Sequence, residues 1–282
     1  MRVVPKSLFV TVLIFACAGS AAFAQAPAVT PGGVLNAASS DTTGQPIAPG
    51  SLISIYGSNL VFATASALAI PLPTELSGVS VTVNGVAAPM LGTFHGPDYD
   101  QLNVQLPWET AVVLPPTSVG TARIIVTRNG VPSAPADFLV APAAPGIFTF
   151  QTGPGQAVAY GNLDGAIAAP VTASLPFPRH PAKIGDPNTL VILATGLGPA
   201  DRAVKSGDIP SPGLLARTVI IPTVLVGGVP AQVIFSGLIG FVGVYQINIV
   251  IAPGTPTGDA VPLQILMNGI TTRTDATIAV MQ

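Results

Sequence analysis

Val79-Ser80-Val81-Thr82-Val83-Asn84-Gly85-Val86-Ala87-Ala88 decides the fold. Valine alternates with a hydroxylated residue as far as Val83, the two-residue period of a strand with one buried face. Asn84-Gly85 then offers two positions that tolerate positive φ, the signal for a two-residue hairpin turn. The stretch returns later as Val226-Gly227-Gly228-Val229-Pro230-Ala231. Working outward, Gln101-Leu102-Asn103-Val104 returns as Gln246-Ile247-Asn248-Ile249, and Asn129-Gly130-Val131 as Asn268-Gly269-Ile270. Gly85 and Gly228, Gln101 and Gln246, and Gly130 and Gly269 are 143, 145 and 139 residues apart, in unchanged order. A period near 140 is too long for a solenoid and predicts two copies of one domain. Residues found in both copies are expected to serve the shared fold. Those in one copy are candidates for a special role.

The 282 residues suffice for two domains with a real core in each. Gly and Pro contribute 30 residues each, and both are poor helix formers. Strands are expected at 52–56, 79–83, 86–91, 102–106, 122–127 and 137–140, then at 147–150, 190–195, 223–226, 232–236, 244–250, 261–267 and 277–280. No window shows sustained helical periodicity. The natural closure is an all-β chain of two tandem immunoglobulin-like antiparallel β-sandwich domains. The expected division is a leader over 1–24, a Pro-rich lead-in over 25–33, a first sandwich over 34–142 and a second over 143–282. Ala141-Pro142-Ala143-Ala144-Pro145-Gly146 reads as a stiff connector between them.

The leader reads as an export signal. Arg2 and Lys6 open it, Leu8 to Ala16 form a short apolar core, and Ala22-Phe23-Ala24 supplies a cleavage site before Gln25. The sole cysteine, Cys17, lies inside it, with a lipid anchor there as the alternative to cleavage after Ala24. A secreted or outer-surface location is expected, with the periplasm as another possibility. No stretch of the mature chain is long and apolar enough for a transmembrane helix. Only 8% of residues are charged, the net charge is −2 and the basic residues are scattered, so no nucleic-acid footprint exists.

Ile47-Ala48-Pro49-Gly50-Ser51-Leu52-Ile53-Ser54-Ile55-Tyr56-Gly57-Ser58-Asn59-Leu60 resembles the opening strand of IPT/TIG immunoglobulin-like domains. A wider match runs from about Val34 to Val280. It takes in Leu76-Ser77-Gly78 through Gly85, Ala143-Ala144-Pro145-Gly146-Ile147-Phe148, Ala194-Thr195-Gly196-Leu197-Gly198-Pro199 and Tyr245-Gln246-Ile247-Asn248. Together these are similar to the Solibacter-type uncharacterised C-terminal domain family, abundant in secreted acidobacterial proteins. The resemblance implies exported β-domains, often appended to larger surface proteins. That family has no known catalytic residues, so it assigns none here.

Chemistry is sparse in the sequence. There are two histidines, no Gly-x-Ser-x-Gly elbow and no His-Glu-x-x-His pair, and no cysteines remain for a thiolate metal site. No cofactor is expected. The richest polar cluster is His95-Gly96-Pro97-Asp98-Tyr99-Asp100, which the second copy replaces with apolar Leu238-Ile239-Gly240-Phe241-Val242. It reads first as a solvated turn. Its alternative is a calcium ion shared by Asp98 and Asp100 with backbone oxygens. Gln101 and Asn103, repeated as Gln246 and Asn248, are expected to do structural hydrogen bonding, pinning a neighbouring loop. Trp108 is expected to pack between domains, or alternatively to stack on a sugar. Asp201, Arg202, Lys205 and Asp208 form a mixed-charge loop, read first as solvated and, after the 95–100 cluster, as the second candidate for a binding surface. Arg179, His180 and Lys183 make a small basic patch. The functional expectation is a secreted or cell-surface, non-enzymatic interaction or structural protein whose partner is an envelope or extracellular protein or polysaccharide. An extracellular carbohydrate-binding module is the alternative, and a hydrolase built on His95, Asp98 and Asp100 the third reading.

Overall fold

The computed structural model describes residues 25–110, 118–151, 153–211 and 213–282. The leader and Cys17 lie outside the described residues. In the first unit the main strands are β1 (Ala28–Asn36), β2 (Leu52–Ser58), β3 (Val79–Val83), β4 (Met90–His95), β5 (Asp100–Gln105), β6 (Gly120–Arg128) and β7 (Ala136–Val140). One layer has the order β1-β2-β5-β4, with the short strand Ala65–Ser66 at its edge. The other places β3 beside β6 and β6 beside β7. In the second unit they are β8 (Leu190–Thr195), β9 (Thr223–Val226), β10 (Val229–Leu238), β11 (Tyr245–Val250), β12 (Gly258–Met267) and β13 (Ala276–Met281). Here one continuous sheet folds over itself. The start of β10 pairs with β9, and from Gln232 onward the strand runs alongside β11, with a bulge between Val233 and Phe235. Among the described residues the only helical element is the 3-10 turn Trp108–Thr110.

Alternation builds both cores. Val79, Val81 and Val83 are fully buried, while Ser80 and Thr82 between them are half-buried. With Ile53, Ile55, Leu102, Val104 and Ile124 they form one apolar cluster. A second, separate cluster gathers Ile192, Val224, Ile247, Leu263 and Ile278. Each such side chain contributes about 1.5–3 kcal/mol on burial, so apolar packing holds each unit without cross-links. All four predicted two-residue turns form. Asn84-Gly85, Asn129-Gly130, Gly227-Gly228 and Asn268-Gly269 have both central residues at positive φ, between 46° and 83°.

Three segments depart from the sequence reading. Residues 28–33, read as lead-in, belong to edge strand β1. Its register shifts between Val29 and Val34, around Pro31 and Gly32, which masked the strand pattern. The run 86–91 divides: Val86–Ala87 pairs with β3 in one layer, and the chain crosses at Pro89 to begin β4 in the other. Of the expected strand at 147–150, Ile147 pairs with β8 and the Phe148 N–H donates to the Leu193 carbonyl of that strand, whereas the Phe148 carbonyl accepts from the Val158 N–H and the Phe150 N–H donates to the Gln156 carbonyl.

The two units solve one problem with opposite chemistry. β5 and β11 occupy the same place, and their first residues, Asp100 and Tyr245, turn inward and are buried. Each pins the loop that follows the neighbouring strand. The Asp100 Oδ2 accepts from the Leu60 N–H at 2.8 Å and the Val61 N–H at 3.4 Å. The Tyr245 hydroxyl donates to the Gly198 carbonyl, and burial pushes its pKa far up. Asp100→Ala leaves the Leu60 N–H buried without a partner, so it is expected to lower stability by about 1–3 kcal/mol in urea unfolding. Exposed Asp98→Ala is expected to change it by less than about 0.5 kcal/mol. Equal effects would show that Asp100 is no clamp.

Candidate functional site

His95, Asp98, Tyr99 and Asp100 line one open concavity of about 450 Å³ at the tip of the first sandwich. The end of β2 supplies Ser58, the loop after it Asn59 and Phe62, and β6 supplies Arg128. The Arg128 guanidinium lies 4.2 Å from the Phe62 ring centre and donates to the Gln25 carbonyl at 2.9 Å. His95 Nδ1 sits 2.7 Å from Asp100 Oδ1. The carboxylate therefore has both oxygens engaged, one by the ring and one by the Leu60 N–H. That geometry corrects the calcium reading, because Asp100 faces inward while Asp98 is exposed. Among the described residues no three His, Cys, Asp or Glu side chains gather around a metal-sized site. Among the described residues no hydroxyl hydrogen-bonds the other ring nitrogen of His95.

Beside the concavity, the outer face of the same layer carries groups that sequence spacing alone does not bring together. Register aligns Tyr56 of β2 with Gln101 of β5 and Phe94 of β4. Tyr99, two residues before Gln101, sits between the rings, 5.6 Å from Tyr56 and 5.8 Å from Phe94. Gln101 Nε2 donates to Asn103 Oδ1 at 2.8 Å and to Ser54 Oγ at 3.2 Å. The repeated amides thus bond to each other rather than pinning a loop, and Gln246 Nε2 likewise donates to Asn248 Oδ1 at 2.7 Å.

Trp108 and the mixed-charge loop belong to the junction between the units. The Trp108 ring packs against the second core and lies directly on Gly50, which corrects the reading of this indole as a sugar platform. The Trp108 backbone N–H donates to Ser206 Oγ at 2.9 Å, and that hydroxyl donates to Glu109 Oε2 at 2.6 Å. Gly207 N–H donates to Gln105 Oε1 at 2.6 Å, and Leu72 N–H to the Gly207 carbonyl at 2.8 Å. Arg202 and Lys205 remain exposed, Asp201 accepts from the Arg217 N–H, and Asp208 accepts from the Ile209 N–H. The 95–100 and 201–208 loops do not converge. They meet opposite ends of β5, about 17 Å apart at roughly 3.4 Å per residue.

In the second copy the counterpart loop meets the first unit at Gly243, which packs on Gly50 and Leu52; Val242 beside it is buried, while Gly240 and Phe241 stay exposed. Thr195 Oγ1 accepts from the Leu52 N–H at 3.0 Å and donates to the Gly243 carbonyl at 2.7 Å. The tip of the first unit stands at the remote end and keeps its polar residues.

The basic patch does not act as one. His180 Nε2 meets Asp164 Oδ2 at 2.9 Å and its Nδ1 meets the Pro181 carbonyl at 3.0 Å, while Arg179 donates to the Leu175 and Phe177 carbonyls. Exposed Lys183 and half-buried Asp186 lie around the same small hollow as His180.

No protein-family model and no curated protein matches the chain. Among solved structures it aligns with the full extracellular region of plexin A4, at 10% identity over 94% of this chain and 16% of that one, TM-score 0.25. It aligns also with SGBP-B of the Bacteroides ovatus mixed-linkage glucan utilization locus, in complex with a mixed-linkage heptasaccharide, at 13% identity over 84% and 43%, TM-score 0.30. A third is domains 5–6 of the S-layer protein SbsC, at 12% identity over 91% and 99%, TM-score 0.21. The chain spans less than half the length of the first two, and likeness at this level assigns no residue a role.

Gly50 has φ +81° and no room for a Cβ beneath Trp108. Gly50→Ala is therefore expected to cost more than about 2 kcal/mol in thermal unfolding. Gly85→Ala has a similar φ of +83° but open space around it, so only the backbone term of about 1–2 kcal/mol applies. Equal losses would mean that the indole is no wedge. A second test concerns pH. The Pro181 carbonyl and then Asp164 raise the His180 pKa above its ordinary 6.5. The Ala166 N–H and then His180 lower that of Asp164 below 3.8. The histidine contribution is complete below 6.5 and is lost as pH rises through the raised value. The aspartate contribution is present above 3.8 and is lost as pH falls through the lowered value. An NMR titration is expected to place His180 above 6.5 and Asp164→Asn to bring it down; a wild-type value at or below 6.5 would contradict the pairing.

Proposed function

We propose that this chain is an exported, non-catalytic interaction module of the cell exterior, of the kind the Solibacter-type resemblance implies. The observation that carries it is the division of labour between the two units. The second unit commits its tip and its 201–208 loop to holding the first. The polar and aromatic tip of the first is thereby set at the remote end of a fixed support. Among the described residues no helix is long and apolar enough to cross a membrane. The geometry of His95 and Asp100, a loop clamp without a bonded nucleophile, favours binding over hydrolysis. Its partner is an envelope or extracellular protein or polysaccharide.

Residues 25–282 immobilised at micromolar concentration are expected to retain a component of envelope or culture-medium extracts from the source cells. Retention is expected to fall with substitutions around the 95–100 tip and to survive substitution of exposed Arg202 and Lys205. Retaining nothing, or losing retention only through the 201–208 loop, would overturn the assignment.

A further inference from the structure

We propose that the outer face of the β1-β2-β5-β4 layer, around Tyr56, Phe94, Tyr99, Gln101 and Asn103, binds a neutral extracellular polysaccharide. The inference rests on the reading of the chain as an exported binding module and names its ligand class and its surface.

Three observations carry it. The first is an apolar surface of the right kind. Tyr99 and Phe94 are 47% and 40% exposed at the tip end of the layer, and Tyr56 is half-buried beside them. Exposed rings on an otherwise polar face retain an unmet gain from burial, and the C–H face of a pyranose supplies a matching flat surface. In the neighbouring row Ser54, Asn103 and Gly92 stand side by side.

The second is hydrogen-bonding capacity aimed the same way. The internal bonds consume Gln101 Nε2 and Asn103 Oδ1, the latter also accepting from Ser54 Oγ at 2.9 Å. Gln101 Oε1 and Asn103 Nδ2 have no partner among the described residues. They offer one acceptor and one donor, fixed two residues apart on one strand. Adjacent sugar hydroxyls donate and accept in turn and complement that pair. The internal bonds hold the amides in place before any ligand arrives, which lowers the ordering cost of binding.

The third is charge. His95 and Asp100 are the only charged or titratable acid–base side chains in the strands of this layer apart from Tyr56, and they bond to each other. An acidic glycan or a nucleic acid would need cations that this face does not carry. An extended peptide would join an open strand edge through backbone bonds, whereas this surface is the middle of a sheet. The second unit marks the contrast. It keeps the bonded amides of Gln246 and Asn248, but the aligned Phe235 lies under the Arg217 guanidinium, 5.0 Å from its ring centre, and leans over Gly237. That copy is covered, so the first unit carries the site.

The test is native affinity electrophoresis of residues 25–282 in gels containing galactomannan, xyloglucan, hydroxyethylcellulose or pullulan, with polygalacturonate as the acidic comparison. At least one neutral polymer is expected to retard the protein, with retardation unchanged in high salt. Tyr99→Ala and Asn103→Ala are each expected to weaken it about tenfold or more. Phe235→Ala is expected to leave it unchanged. Unaltered urea midpoints for the variants establish that they fold, and Asn103→Ala leaves the rings in place should Tyr99→Ala not fold. Retardation by no neutral polymer, retardation by polygalacturonate alone, or indifference to both substitutions would overturn the inference. If the pull-down retains an envelope protein while every neutral polymer fails, the glycan inference falls and the binding-module reading stands. If both assays fail, both fall.

Discussion

The contact between the Trp108 indole and Gly50 sets the arrangement of the molecule. Gly50 and Ser51 bond to Leu106 on either side of this contact, and the chain then turns so that the indole closes over the glycine and reaches the second core. No residue with a Cβ fits beneath the ring. Around this wedge, Ser206, Gly207, Gly243 and Thr195 of the second unit bond or pack onto the first. Two domains joined by a Pro-rich connector would ordinarily move against each other. Here hydrogen bonds on both sides of an apolar wedge oppose that motion.

That junction gives the two copies different fates. They share layers, turns, the bonded Gln and Asn of the fifth and eleventh strands, and a buried residue that pins the adjacent loop. They differ where one tip meets a neighbour. The second copy's tip loop meets the first unit at Gly243, and its pinning residue is a neutral phenol. The first copy's tip lies about a strand length from the junction and keeps a carboxylate, an imidazole and three clustered rings. The two units thus supply a support and a presented end.

Much of the fold could be read directly from residue order. Val79 to Val83 alternates cleanly, and each Asn-Gly or Gly-Gly step demands positive φ at both positions, so strands and hairpins announce themselves locally. β1 was hidden because Pro31 and Gly32 interrupt its ladder with a bulge. The tip cluster was legible as far as His95, Asp98, Tyr99 and Asp100, which are contiguous. Tyr56 and Phe94 were not, since only the pairing of three strands brings them to Tyr99. The inward turn of Asp100 was equally hidden, because its partners, the Leu60 and Val61 amides, lie forty residues away. Trp108 carried two readings in sequence, and only its position on Gly50 separates a wedge from a platform.

The most direct test of the account is hydrogen exchange at the Gly207 and Leu52 amides, which cross the junction to Gln105 and Thr195. If the units form one body, both amides exchange only through global unfolding and are as protected as the Val81 amide in the first core. Exchange at the rate of an unprotected loop amide, with Val81 still protected, would show two domains that swing apart and would contradict the fixed support on which the presented tip depends.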